Sequence, residues 1–127
     1  MVRYLIDTDV MIDVSRGSAT AATFVDSLED ITISIITAHE LIVGARNHRD
    51  AAAIDGLIRT FPVHADLRAE ITGLAYDLLK KHAKSDGLRT FDALIAATAI
   101  AEGFALVSRN RKHFQMISDL EFESPGY

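Results

Sequence analysis

A chain of 127 residues with a formal net charge of −5 fits one domain around one core, and excludes a protein that grips nucleic acid through overall basicity. Its 49% hydrophobic and 24% charged residues exclude a disordered or fibrous polymer, and the lack of cysteine excludes disulfide frameworks and thiolate zinc sites. No apolar run, LIAATAIA included, is long enough to span a bilayer, and the amino terminus lacks the apolar segment of a secretory leader, so a cytoplasmic location is expected.

RYLID predicts a short buried strand ending at Asp7. VMIDVSRG predicts a short helix with Asp9 as N-cap and Gly17 as its stop, and SATAATFVDSLED shows helical spacing at Ala22, Val25 and Leu28. ITISII alternates β-branched residues and predicts a second strand. TAHELIVG follows as a helix ended by Gly44, with Thr37 and Glu40 at capping-box spacing. From about Arg49 to Thr60 the periodicity is helical, through Ala53, Ile54, Leu57 and Ile58. FPVHA predicts a brief strand, because Pro62 is incompatible with a helix interior.

DLRAEITGLAYDLLKKHAK is the longest periodic segment, with Leu67, Ile71, Leu74, Leu78 and Leu79 on one face. After the turn SDGLRT, TFDALIAATAIAEG predicts an alanine-rich helix with Thr90 as N-cap and Gly103 as its stop. FALVS is the last strong strand, RNRKHF a polar turn or helix start, and LEFES a weak edge strand. No repeat or linker interrupts residues 1–127, which read as a single domain. Strands alternating with helices predict an α/β fold with a mainly parallel sheet, whose carboxyl edge is where ligands bind.

Three acids stand where apolar runs meet helix starts: Asp7 after the first strand, with Glu40 and Asp92 in the first turns of their helices. Asp7 alone is compatible with a turn or cap, and Glu40 with a purely structural capping box. Asp92 opens a helix that is apolar nearly all round, where the modest gain from the helix dipole does not account for a charge. Carboxylates about 4 Å apart repel by ~4 kcal/mol at an effective dielectric of about 20. Three such acids brought together are therefore a liability unless a hard divalent cation, Mg2+ or Mn2+, joins them.

In order along the chain, LIDTDVMID, SIITAHELIVG and RTFDALIAATAIAEGFALVSRNRKHF resemble the PIN domain, and more narrowly the VapC-type ribonuclease toxins of toxin–antitoxin systems. That resemblance implies a PIN-like sheet flanked by helices, metal-binding roles for Asp7, Glu40 and Asp92, and hydrolysis of RNA by water to leave 5′-phosphate and 3′-hydroxyl ends. Thr8 or Ser108 would meet a phosphate oxygen, and Arg109, Arg111 and Lys112 would hold the RNA backbone. It also implies a homodimer and a cognate antitoxin whose tail covers the acidic cleft.

One departure stands out. Where such proteins often carry a fourth acid, the segment SRNRKHF offers only Asn110, a neutral oxygen donor to a metal or its water, and His113. One firmly held ion is expected rather than two. Two other readings compete: a haloacid dehalogenase-type phosphatase, for which LIDTDV supplies Asp7 as nucleophile and Asp9 as acid/base, and a catalytically silent binding module that keeps the acidic pocket.

Overall fold

The computed structural model describes residues 1–127. Its five strands are β1 (Tyr4–Ile6), β2 (Ile31–Ser34), β3 (Val63–His64), β4 (Ala105–Val107) and β5 (Phe122–Glu123). The helices are α1 (Thr8–Ser15), α2 (Ala19–Asp26), α3 (Ile35–Val43), α4 (His48–Ile58), α5 (Ala69–Asp86), α6 (Thr90–Glu102) and α7 (Arg111–Phe114). All strand pairs are parallel, in the order β3-β2-β1-β4-β5, so the first strand lies at the centre.

Alternation along the short strands divides the apolar interior into two layers. Leu5 and Leu106 face α5 and α6, joining Ile71, Ala75, Leu78 and the buried side of α6. Ile6, Ile33 and Val107 face the other way, against Val10, Met11, Leu41, Ile54 and Ile58 from α1, α3 and α4. Ala93, Ala96, Ala97 and Ala99 are inaccessible to solvent. Such small side chains let α6 lie close to the sheet, which brings its first turn beside the strand ends. Phe114, also fully buried, anchors the short α7 to the same layer. No helix is long and apolar enough to cross a membrane.

Several boundaries differ from the sequence expectation. Asp7, not Asp9, occupies the N-cap of α1, and its side chain makes no capping bond, which leaves it available to the site. The β2 strand stops at Ser34, whose hydroxyl caps α3 by accepting from the Ile36 N–H at 3.0 Å. Thr37 and Glu40 therefore lie inside the helix, Glu40 beyond its first turn, and they form no capping box. Ile36 and Thr37 are buried by tertiary packing, which overrides the strand preference of this β-branched run. Arg89 rather than Thr90 is the N-cap of α6, while Asp92 does lie in its first turn. Gly103 ends α6 with φ 76°, the left-handed conformation that glycine takes without strain.

Candidate active site

The register of the sheet builds the site. Ile6 pairs with Val107 at the carboxyl ends of the central strands, so the next residues, Asp7 and Ser108, meet across 101 positions of sequence. The Asp7 N–H donates to the Val107 carbonyl at 2.9 Å, extending the ladder by one bond. Ser108 Oγ donates to Asp7 Oδ2 at 2.7 Å and accepts from the Asn110 N–H at 2.9 Å. Asp9 sits on the far side of that hydroxyl, at 3.4 Å, and accepts from the Arg109 N–H at 3.0 Å.

Asp7 is 5% exposed, and its carboxyl is pushed up to about 7. Burial is the main cause, and the charge of Asp9 adds to it. Asp92 raises it further, so the two acids that begin α1 and α6 lie within reach of each other's charge. Hydrogen bonds from Ser108 and the Thr8 backbone oppose the shift without cancelling it. Burial also raises the Asp9 carboxyl.

His113 closes the other side of the cluster, with Nδ1 3.1 Å from Asp92 Oδ2 and 2.8 Å from Asn110 Nδ2. One ring nitrogen serves only one of these at a time: carrying a proton it donates to Asp92, and without one it accepts from Asn110. Residue 113 is therefore a half-buried partner of the third acid and not a solvated turn residue.

Glu40 reaches the site through threonines. Thr8 Oγ1 donates to Glu40 Oε1 at 2.7 Å and lies 2.9 Å from the buried Thr37 Oγ1. This chain ties α1 to α3 beside Asp7. Thr37→Val, which keeps the shape but deletes the hydroxyl, is expected to cost about 1 kcal/mol in urea unfolding.

The structure thus gathers Asp7, Asp92, Ser108, Asn110 and His113 into one hydrogen-bonded and electrostatic cluster, with Thr8 and Glu40 beside it. Three expected phosphate or RNA contacts are placed differently. Ser108 is inaccessible, and its hydroxyl is committed to Asp7 and Asn110. Thr8 is committed to Glu40. Arg109 turns away, bonded to Asp13 at 2.8 Å and lying over the Tyr127 ring, while Tyr127 also donates to Asp13 at 3.0 Å. Arg111 and Lys112 remain exposed and form no ion pair. The sequence signal that finds Ser108 is its place one residue past β4, level with Asp7 past β1. Nothing in the sequence marks the Arg109–Asp13–Tyr127 contact.

No three acidic or histidine side chains converge closely enough, as oriented here, to share one ion. Asp92 is turned onto His113 and Glu40 onto Thr8. The donor set nonetheless suits a hard divalent cation. It is all oxygen at its centre, and it holds a buried carboxyl burdened by two neighbouring acids that added positive charge would relieve.

The sequence pattern of the PIN domain matches residues 4–119. Ribonuclease VapC19 of Mycobacterium tuberculosis is 32% identical over 122 residues, which span 92% of this chain and 96% of that protein. Among solved structures, a toxin–antitoxin complex from Klebsiella pneumoniae superposes with a TM-score of 0.78 at 27% identity, over 92% of this chain and 94% of that one. VapBC2 from Rickettsia felis, bound to a promoter DNA fragment, shares the fold with a TM-score of 0.83 at 24% identity, over 98% of both chains. The match leaves no place for the haloacid dehalogenase reading, and Asp9 is bound to the Arg109 backbone. From strand register to sequence pattern, these observations agree that the chain belongs to the PIN-domain family, on its VapC branch.

Proposed function

We propose that this protein is a divalent-cation-dependent endoribonuclease, the toxin of a toxin–antitoxin pair, and that residues 1–127 act as one PIN domain. The observation that carries the reading is the buried Asp7 carboxyl, set between Asp9 and Asp92 and fastened by Ser108. Asp7 and Asp92 would hold the cation, Mg2+ or Mn2+, with Glu40 sharing it. When bound, such an ion supplies a water of lowered pKa and offsets charge that grows on the phosphoryl group.

The chain's own residues do the rest. Ser108 fixes the direction of Asp7. Thr8 occupies Oε1 of Glu40, leaving Oε2 to take a proton from the attacking water. His113, with its proton on Nδ1, sets the orientation of Asp92, the work that a fourth acid would otherwise share. Arg111 and Lys112, exposed on α7, would hold the RNA backbone. Arg109 joins them only if it leaves Asp13.

A cognate antitoxin is the expected protein partner, supported by the complexes in which the structural relatives were solved. A homodimer is the expected assembly, with the exposed Ile42 and Val43 of α3 as a suitable apolar face. With Mg2+ supplied, the purified protein should cut single-stranded RNA to 5′-phosphate and 3′-hydroxyl ends, and excess EDTA should stop it. Cyclic phosphate ends, or cleavage that survives chelation, would overturn the proposal. Bound but uncut RNA would instead favour the silent binding module.

A further inference from the structure

A cavity of about 410 Å³ opens between the end of α1 and the α3–α4 corner, outside the Asp7–Ser108–Asp92 cluster. Its apolar surface comes from Ile12, Leu41 and Ile54. One wall is Glu40, so the cavity and the acidic cluster share a side chain. At the rim, Asp50 is fully occupied by Arg46: it accepts from the Arg46 N–H at 2.9 Å and from the guanidinium at 3.3 and 3.4 Å. Arg16, which also lines the cavity, is exposed and forms no ion pair, although its charge reaches Asp50.

We infer that this cavity is a nucleotide subsite, which takes one unpaired base of the RNA strand next to the scissile phosphate. The inference rests on the ribonuclease reading and adds where the substrate lies. Three features select this ligand. The volume is of the size that ligand pockets have. The aliphatic floor suits the face of an unstacked base, and unpaired bases are what proteins read in RNA. The unpaired Arg16 guanidinium suits the phosphate that must accompany the base. Because Glu40 walls both the cavity and the acidic cluster, a base held here lies next to the phosphate that the acids would meet. A base locked in a duplex cannot enter, so the subsite selects loops and single strands.

Two variants test this without touching the acidic cluster. Ser15→Phe, at the half-buried end of α1, narrows the cavity, and Arg16→Glu reverses the rim charge. Both are measured on a single-stranded RNA oligonucleotide and on bis(p-nitrophenyl) phosphate, a diester with no base. The expected result is a fall of about tenfold or more in kcat/KM for RNA, with diester hydrolysis within about twofold of the parent. In parallel, nucleoside monophosphates added to the Asp7→Asn protein should shift the methyl NMR signals of Ile12, Leu41 and Ile54.

Unchanged RNA kinetics in both variants would overturn the subsite, as would an equal fall on both substrates. Loss of antitoxin affinity with RNA kinetics intact would assign the cavity to the protein partner instead. If the parent protein hydrolyses the diester but not RNA, the ribonuclease reading fails, whatever the methyl signals show.

Discussion

Asp7→Asn should abolish RNA cleavage and, above pH 7, make the protein more stable. Loss of cleavage follows from removing the central charge of the cation site, which is worth several kcal/mol of transition-state stabilisation, or about a thousandfold or more in rate. Higher stability follows from the same burial. The Asp7 carboxyl sits at about 7 in the folded protein against an ordinary 3.8. Between these values the folded state keeps a proton that the unfolded chain has released, so stability falls as pH rises through this window. Above it the ionised, buried carboxylate costs the cation-free fold on the order of 4 kcal/mol. Asparagine removes that cost and still accepts the Ser108 hydroxyl. In metal-free thermal melts the variant should gain most at pH 8 and almost nothing near pH 4. Equal gains at both values, or cleavage at the parental rate, would rule out the assigned role of Asp7.

Divalent cations should have the second large effect, and it too should grow as pH rises through the Asp7 range. At pH 8 Asp7 is ionised, and Mg2+ or Mn2+ binds a carboxylate that is already destabilised. Below about 7 the ion must displace a proton, so apparent affinity should fall by roughly tenfold per pH unit. Millimolar Mg2+ should raise the melting temperature clearly at pH 8 and little at pH 5. The Asp7→Asn protein should respond at neither. Calorimetric affinities that match at pH 5 and pH 8 would show that Asp7 is not the ligand that controls binding.

What the sequence reveals, and what it hides, divides along physical lines. The strands around Leu5 and Leu106 and the alanine-rich α6 are legible because burial on both faces demands unbroken apolar or small residues. The positions of Asp7 and Asp92 follow once the parallel order is inferred, since Asp7 comes just after β1 and Asp92 lies in the first turn of α6, which starts near the same edge. The start of α3 is hidden, because Ile35, Ile36 and Thr37 favour strand locally and only packing makes them helical. Thr37 and Glu40 mimic a capping box, while the true cap is Ser34 and the pair faces Thr8 instead. Arg109, expected at the RNA backbone, is held by Asp13 across the fold. Long-range pairings of this kind leave no periodic trace. His113, easily dismissed as a surface residue, holds Asp92 for the same reason.

The partnership of Asp7 with Ser108 also sets a timetable. The central strand is made first, but the strand that completes its carboxyl end arrives only after most of the polypeptide has been synthesised. A nascent chain emerging from the ribosome carries Asp7 without the hydroxyl that fastens it. A potentially lethal enzyme is thus unarmed throughout its own translation, leaving its producer time to supply an inhibitor. Fragments that end before Ser108 should be harmless when expressed, however much of the fold they retain.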